Sequence, residues 1–394
     1  MNRPRRVFLA FLLVLGLTAP VFGQTTVVAP VEIPSARASA LGGLHAALAD
    51  DLGSLFSNPA GFALAGPQLS VSEVTLHLTG PVFSIADLVY KGTTGTDFTT
   101  LLQTPSVISL LSSLFASGTL NGPLALGYVG GGLGFGIFNA SNVTFTTVGT
   151  PPTVTASIGE DVIFAGGYAF AIPLPASWKS KLDIGATLKA FARADVTLRE
   201  SILDVLTLLA APDVSIIYNQ PFELDAGIGV DVGIRYSWND TISFGVVGRN
   251  LYAPALVNSY TTFSAFGQGA APTMSFGTVP LDLAAGFAFT PNLGALEPYL
   301  GGLKVLLDYQ DILDFLTHPT TASNPVLHVG LGIEFQLLQI LALRAGFNEG
   351  YFSAGAGLNL SVFRLNLTMY GSELSLEPGL RPAYNLIVGL EFRY

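Results

Sequence analysis

The sequence predicts an all-β chain: a transmembrane antiparallel β-barrel of about fourteen strands, with an N-terminal hatch in its lumen and short helices in extracellular loops. Three observations lead there. Half of the 394 residues are hydrophobic and only 11% are charged, against about 25% in soluble domains. Downstream of Leu17 no stretch approaches the ~18 uninterrupted apolar residues of a spanning helix. Many segments instead alternate apolar and polar residues with a period of two, as strands facing lipid on one side and a lumen on the other must. In lipid only helices and closed barrels satisfy every backbone hydrogen bond, so an apolar chain without spanning helices reads as a barrel.

The first element is an export signal. Met1 to Arg6 is basic, Val7 to Leu17 is apolar, and Val21-Phe22-Gly23 ends the segment with a small residue, the order of a cleaved secretory peptide. The apolar run is about half the ~20 residues of a membrane anchor. Residues 1–23 are therefore expected to be removed, leaving a chain that starts near Gln24 in the outer membrane of a diderm bacterium. Loss of Arg3, Arg5 and Arg6 moves the net charge from -10 to -13, which makes nucleic acid an improbable partner. With no cysteine, the chain has no disulfide framework, no thiolate metal site and no lipid-modified N-terminal Cys.

Residues 24–67 do not read as strand. Ser35-Ala36-Arg37-Ala38-Ser39-Ala40-Leu41-Gly42-Gly43, Ala46-Ala47-Leu48-Ala49-Asp50-Asp51 and Asn58-Pro59-Ala60-Gly61 are rich in small and turn-forming residues, which allow the close packing a luminal plug needs. Within the last motif Pro59 fixes its own backbone and restricts Asn58 to an extended form.

Residues 68–394 carry the barrel pattern. Leu386, Val388, Leu390, Phe392 and Tyr394 alternate with Asn385, Ile387, Gly389, Glu391 and Arg393; 327–336 and 224–235 repeat the pattern. Strands are expected near 68–79, 123–130, 132–143, 161–172, 181–198, 222–237, 240–251, 280–290, 299–308, 325–336, 339–348, 350–360, 362–371 and 384–394. An even count returns the chain to its starting side, and short turns then alternate with long connections. The long ones are 80–122, 144–160, 199–221, 252–279 and 309–324. Charges such as Asp183, Arg193, Asp231, Arg235, Glu334, Arg344, Arg364 and Arg393 fall on the inward set, since a lipid-facing charge at the midplane costs about 2–4 kcal/mol.

Three long connections show helical spacing. Val107, Leu110, Leu111 and Leu114 follow the cap Thr104-Pro105; Ile202, Val205, Leu206 and Leu209 repeat the spacing, as do Tyr309, Ile312, Leu313 and Leu316. The first two sets are candidate ligand-groove residues, against the alternative that they merely pack on one another or on the rim. Nothing reads as catalytic. The Gly127 to Gly136 cluster lacks the helix and Lys-Ser/Thr pair of a phosphate loop and suits a barrel wall. Asp308, Asp311 and Asp314 read as a solvated helix face rather than a calcium loop. His45, His77, His318 and His328 show no metal-ligand spacing, and no Gly-x-Ser-x-Gly elbow is present. The chain is thus expected to be no enzyme and to need no cofactor.

Ala38 to Gly43, Ala46 to Asp51 and above all Ser57-Asn58-Pro59-Ala60-Gly61 before the first strand resemble the outer-membrane long-chain fatty acid transporter family (FadL-like). That family is taken in the wide sense that includes aromatic-hydrocarbon channels and spirochaete-type relatives. The resemblance implies a fourteen-stranded barrel with Asn58, Pro59, Ala60 and Gly61 in a hatch that gates the lumen. It also implies passive uptake of a hydrophobic or amphipathic small molecule. A barrel that escorts secreted proteins, as the type IX secretion shuttle does, and a general porin are the alternatives. Outer-membrane lipids and, through the terminal strand ending at Tyr394, the barrel-assembly machinery are the expected partners.

Overall fold

The structure is a computed structural model describing residues 26–393, apart from 32, 49, 96, 102, 113, 149–152, 212 and 298. The expected signal segment 1–23 and Tyr394 lie outside the described residues.

A two-residue strand β1 (Thr26–Val27) and a short helix α1 (Ala36–Ala40) precede the wall. The first half of the wall is β2 (Gln68–Thr79), β3 (Phe115–Gly130), β4 (Leu133–Val148), β5 (Thr153–Ile172), β6 (Ser180–Ser201), β7 (Phe222–Trp238) and β8 (Ile242–Tyr252). A hairpin of β9 (Pro254–Tyr260) and β10 (Thr273–Thr278) follows. The wall resumes with β11 (Asp282–Phe289), β12 (Leu300–Tyr309), β13 (Val329–Leu337), β14 (Leu341–Asn348), β15 (Tyr351–Asn359), β16 (Phe363–Glu373) and β17 (Pro382–Arg393). Neighbouring wall strands pair antiparallel, β8 with β11, and β17 returns to β2, so fourteen strands close a barrel. Closure leaves no free edge along that ring.

The period of two places the side chains. On β17, Tyr384, Val388 and Phe392 are exposed while Asn385, Ile387 and Glu391 are buried. Leu331 and Ile333 on β13 and Leu365, Leu367 and Met369 on β16 are likewise exposed outward. Trp178, Tyr236 and Trp238 are exposed at the short-turn end, as an interfacial aromatic girdle requires. No helix of the described residues is long and apolar enough to cross a membrane.

Each expected strand segment holds a wall strand, but two expected loops are largely strand. Between 144 and 160, β4 and β5 continue their ladder, with Val143 opposite Ile158 and Phe145 opposite Ala156. The threonines interspersed there, at 144, 146, 147, 153 and 155, mask a β-compatible stretch as a polar loop. Within 252–279, β9 pairs with β7 and β10 pairs with β9, which raises the wall locally. Pro254 and Pro280 interrupt the pattern at the two breaks. The N-terminal segment also contributes a strand: β1 runs parallel to β10, with Thr26 opposite Gly277.

The long connections carry α2 (Val82–Thr94), α3 (Phe98–Leu101), α4 (Pro105–Ser112) and α5 (Ile202–Ala210). Helix α2, the longest described, was not among the expected patterns. The third expected helix is corrected: Tyr309 ends β12, and only one turn, Asp314–Thr317, is helical. There Tyr309 is committed to the ladder, opposite Val329, so the spacing that includes it is not a helix face.

Candidate functional site

From Val28 to Pro67 the chain follows the inner face of the wall. The Arg193 guanidinium on β6 donates to Ala29 O at 3.0 Å, and the Asn121 amide on β3 donates to Pro34 O at 3.3 Å. Across the lumen, Thr368 on β16 donates to Ala36 O at 2.6 Å and Ser353 on β15 to Ala40 O at 3.0 Å. Ala46 N then donates to Asp308 on β12 at 2.6 Å, and Arg235 on β7 donates to Ala47 O at 3.1 Å. Backbone groups of this segment find partners on strands all round the wall.

Asn58 is the tightest point. Its backbone is extended (φ -153°, ψ 112°) and its side-chain oxygen accepts from Ala60 N at 3.0 Å, capping the 3-10 turn Pro59–Ala63. Its amide donates to Ala46 O at 2.7 Å and to Ile234 O of β7 at 3.4 Å. Pro59, Ala60, Gly61 and Phe62 are buried with it. The motif therefore lies several residues before β2 begins at Gln68.

Glycines on the wall make the room. A Cβ on Gly233 would overlap Asn58 Oδ1, one on Gly185 would overlap Pro59 O, and one on Gly245 would overlap Ala46 O. Gly134 and Gly127, from the cluster that superficially resembles a phosphate loop, lie under Phe62 and Leu52, where a Cβ would stand 2.6 and 2.8 Å away. These positions serve close packing of hatch on wall.

Charge fastens the same contact. Arg37 donates to Asp50 at 2.7 Å, Asp51 at 2.6 Å and Glu334 on β13 at 2.7 Å. Lys304 on β12 bridges Asp50 at 2.9 Å and Glu334 at 3.2 Å, and Arg344 on β14 donates to Glu334 at 2.7 Å. Burial alone would raise the Asp50 pKa, but the Arg37 and Lys304 charges overcome it and hold the carboxyl well below the usual range. Further round, Lys189 pairs with Asp231 at 2.9 Å, Arg193 with Asp161 at 2.7 Å and Arg235 with Asp183 at 3.6 Å.

Asp308 is not on a solvated helix face, contrary to the spacing argument. It is buried on β12, where its carboxyl lies within hydrogen-bond distance of His45 Nδ1 and accepts from Ala46 N, while His45 Nε2 lies 2.8 Å from Leu41 O. Asp314 is also buried, with His318 at 3.1 Å and His328 at 3.2 Å. Sequence spacing hides the pairing of Asp308 with His45 and of Asp314 with His328 because these members come from separate elements. No group of three or more His, Cys, Asp or Glu among the described residues is placed to hold a metal ion.

The ladder of the wall shifts register beside the N-terminal segment, although Ser72 Oγ still donates to Pro123 O at 2.9 Å across the shift. The β2–β3 ladder pairs 68–70 with 127–129 and 75–79 with 117–121, leaving 71–74 and 122–126 out of register. Val71, Val74 and Leu124 are exposed at this shift. Behind it lies a small cavity lined by Ile33, Leu52, Phe56, Phe138, Glu73 and Thr75, among others. The Phe56 ring meets Phe138 edge-on, with centroids 5.3 Å apart.

At the long-loop end the helices pack on one another. Leu111, Leu114 and Leu206 are buried with Leu88 of α2, and Val107 and Ile202 pack partly buried against them. Val205 is buried and Leu110 half-buried; the Leu209 side chain lies outside the described residues. The helix residues thus lie at the long-loop end, whereas Asn58 and Pro59 pack on β6 and β7 nearer their short-turn ends.

No protein-family model matches the chain, and no curated protein matches it. Among solved structures, the toluene transporter TodX of Pseudomonas putida is similar over 93% of this chain and 100% of its own, with 14% identity and a TM-score of 0.47. The toluene transporter TbuX of Ralstonia pickettii is similar over 94% and 98%, with 13% identity and a TM-score of 0.48. A FadL homologue of Pseudomonas aeruginosa is similar over 89% and 95%, with 11% identity and a TM-score of 0.42.

Proposed function

We propose that this chain is an outer-membrane channel for passive uptake of hydrophobic or amphipathic small molecules, with residues 24–67 as its gate. The observation that carries the reading is the register shift of the β2–β3 ladder, backed by Leu52, Phe56 and Phe138. A solute with apolar surface gains about 25 cal/mol per Å² on leaving water, and here Leu52, Phe56 and Phe138 line a space behind the register shift, beside charged groups that include Glu73 and Arg364.

The loop helices α2, α4 and α5 offer the first apolar surface to an arriving solute, at Val107, Leu110 and Ile202 beside their closed core. Leu111, Leu114, Val205 and Leu206 hold that surface together. The hatch blocks straight passage of water and polar solutes, and a small displacement around Asn58 or sideways movement at the register shift releases the solute. An open polar porin does not fit a lumen crossed by so many hatch hydrogen bonds.

Proteoliposome flux tests this reading. A fluorescent long-chain carboxylate should cross much faster than in protein-free vesicles, while glucose should not. Equal glucose flux, or no acceleration of the carboxylate, would contradict it.

A further inference from the structure

We propose that the short-turn mouth of the lumen holds an oxyanion site, built on Arg364 and Arg393, for the carboxylate or phosphate group of a small molecule. A cavity of about 370 Å³ opens there between hatch and wall. Gln68 at the start of β2, Ser361 in the turn after β15 and Arg393 at the end of β17 place it at that mouth.

Its charge is unbalanced. The lining includes the cations Arg37, Lys304, Arg344, Arg364 and Arg393 and the carboxylates Asp50, Asp51 and Glu334. All three carboxylates are held by Arg37, Lys304 and Arg344. Arg364 donates to Asn359 at 2.9 Å and is ion-paired with Glu391 at 3.4 Å. Arg393 makes no side-chain hydrogen bond or ion pair within the described residues; Arg364, Glu391 and Asp51 act on it through their charges.

Guanidinium groups present rigid forks of donors that match carboxylate and phosphate oxygens. Two such groups facing one cavity repel each other, a repulsion that Glu391 offsets only in part and that an anion between them would relieve. The chain as a whole has a net charge of -10, so this local excess of cations is not a spillover from a basic surface. The cavity shares Arg37, Asp51, Gln68 and Arg364 with the space behind the β2–β3 register shift. A molecule with an anionic head at Arg364 and Arg393 therefore has room for an apolar tail towards Phe56 and Phe138.

The test is equilibrium binding to the purified full chain in a nonionic detergent, by titration calorimetry with inorganic phosphate, octanoate and octanol. Saturable binding of phosphate or octanoate is expected, and Arg364→Gln with Arg393→Gln should weaken it at least tenfold. Octanoate binding far more tightly than phosphate, with octanol inert, would assign the site to an amphiphile's head; equal binding would assign it to free anions. Arg393→Gln alone removes no direct contact within the described residues, so it gives a folded control with the same direction of effect. No saturable binding of either anion, or unchanged affinity in the folded Arg393→Gln protein, would overturn the proposal.

Discussion

Asn58 Oδ1 of the hatch occupies the space that a Cβ on Gly233 of β7 would take, so hatch and wall fit only because that wall position is glycine. Gly233→Ala should push the Asn58 turn off the wall at a cost of about 1–3 kcal/mol, the range for overpacking. Single-channel recordings should show a conductance several times that of the parent, with barrel insertion unchanged. Parent-like conductance in an inserted Gly233→Ala barrel would show that the turn does not control the path.

Glu334 ties Arg37, Lys304 and Arg344 together with almost no exposure to water. Removing one partner of a buried ion pair costs about 3–5 kcal/mol. Glu334→Gln should free the Arg37 segment, measured as faster proteolysis within 28–67 while the barrel band on gels persists. A cleavage rate equal to the parent's would place the holding force elsewhere.

Asp50 gives the hatch a defined acid limit. Its folded pKa lies below the value near 3.9 of an unfolded aspartate, held there by Arg37 and Lys304 against burial. Its stabilisation is therefore complete above about pH 4 and is lost as the pH falls further through the folded value. Conductance should stay constant from pH 8 to 5 and rise below about pH 4; Asp50→Asn should be leakier at neutral pH and lose its part of the acid rise. A rise centred near pH 6 would point to another group.

Much of this wall is legible in the sequence because lipid imposes a period of two, so Leu386 to Phe392 and Val329 to Phe335 declare their outward faces directly, whereas Leu327 of the same alternation lies in a 3-10 turn. Where polar residues populate a strand, as Thr144, Thr146 and Thr147 do on β4, the signal fades and the ladder continues regardless. Prolines hide β9 and β10 in the same manner. Small residues and the Asn58-Pro59 turn mark a close-packed segment before β2, yet its partners are set by tertiary contact. Asp308 meets His45 across 263 positions of sequence, and the seats at Gly185 and Gly245 mean nothing until the hatch is laid on them. Arg364 and Arg393 can be read as inward charges, but only the fold shows which cations have their carboxylates.

The terminal strand should direct assembly. Phe392 is exposed outward at the end of β17, where Arg393 N still bonds Val362 O at 3.1 Å. Deleting Phe392 to Tyr394 should reduce insertion into the outer membrane more than deleting Gln268 to Ala270 from the β9–β10 tip. Equal yields of folded, heat-modifiable barrel from the two variants would remove the special role of the terminus.

The central claim is that the segment before β2 closes the lumen and makes passage selective for apolar solutes. Planar-bilayer conductance of a chain lacking residues 24–57, with the signal kept, tests it most directly. The account predicts insertion at near-parent yield, the steady conductance of an open pore, and loss of discrimination between apolar and polar solutes. A truncated barrel that inserts normally yet conducts no more than the full chain would contradict it.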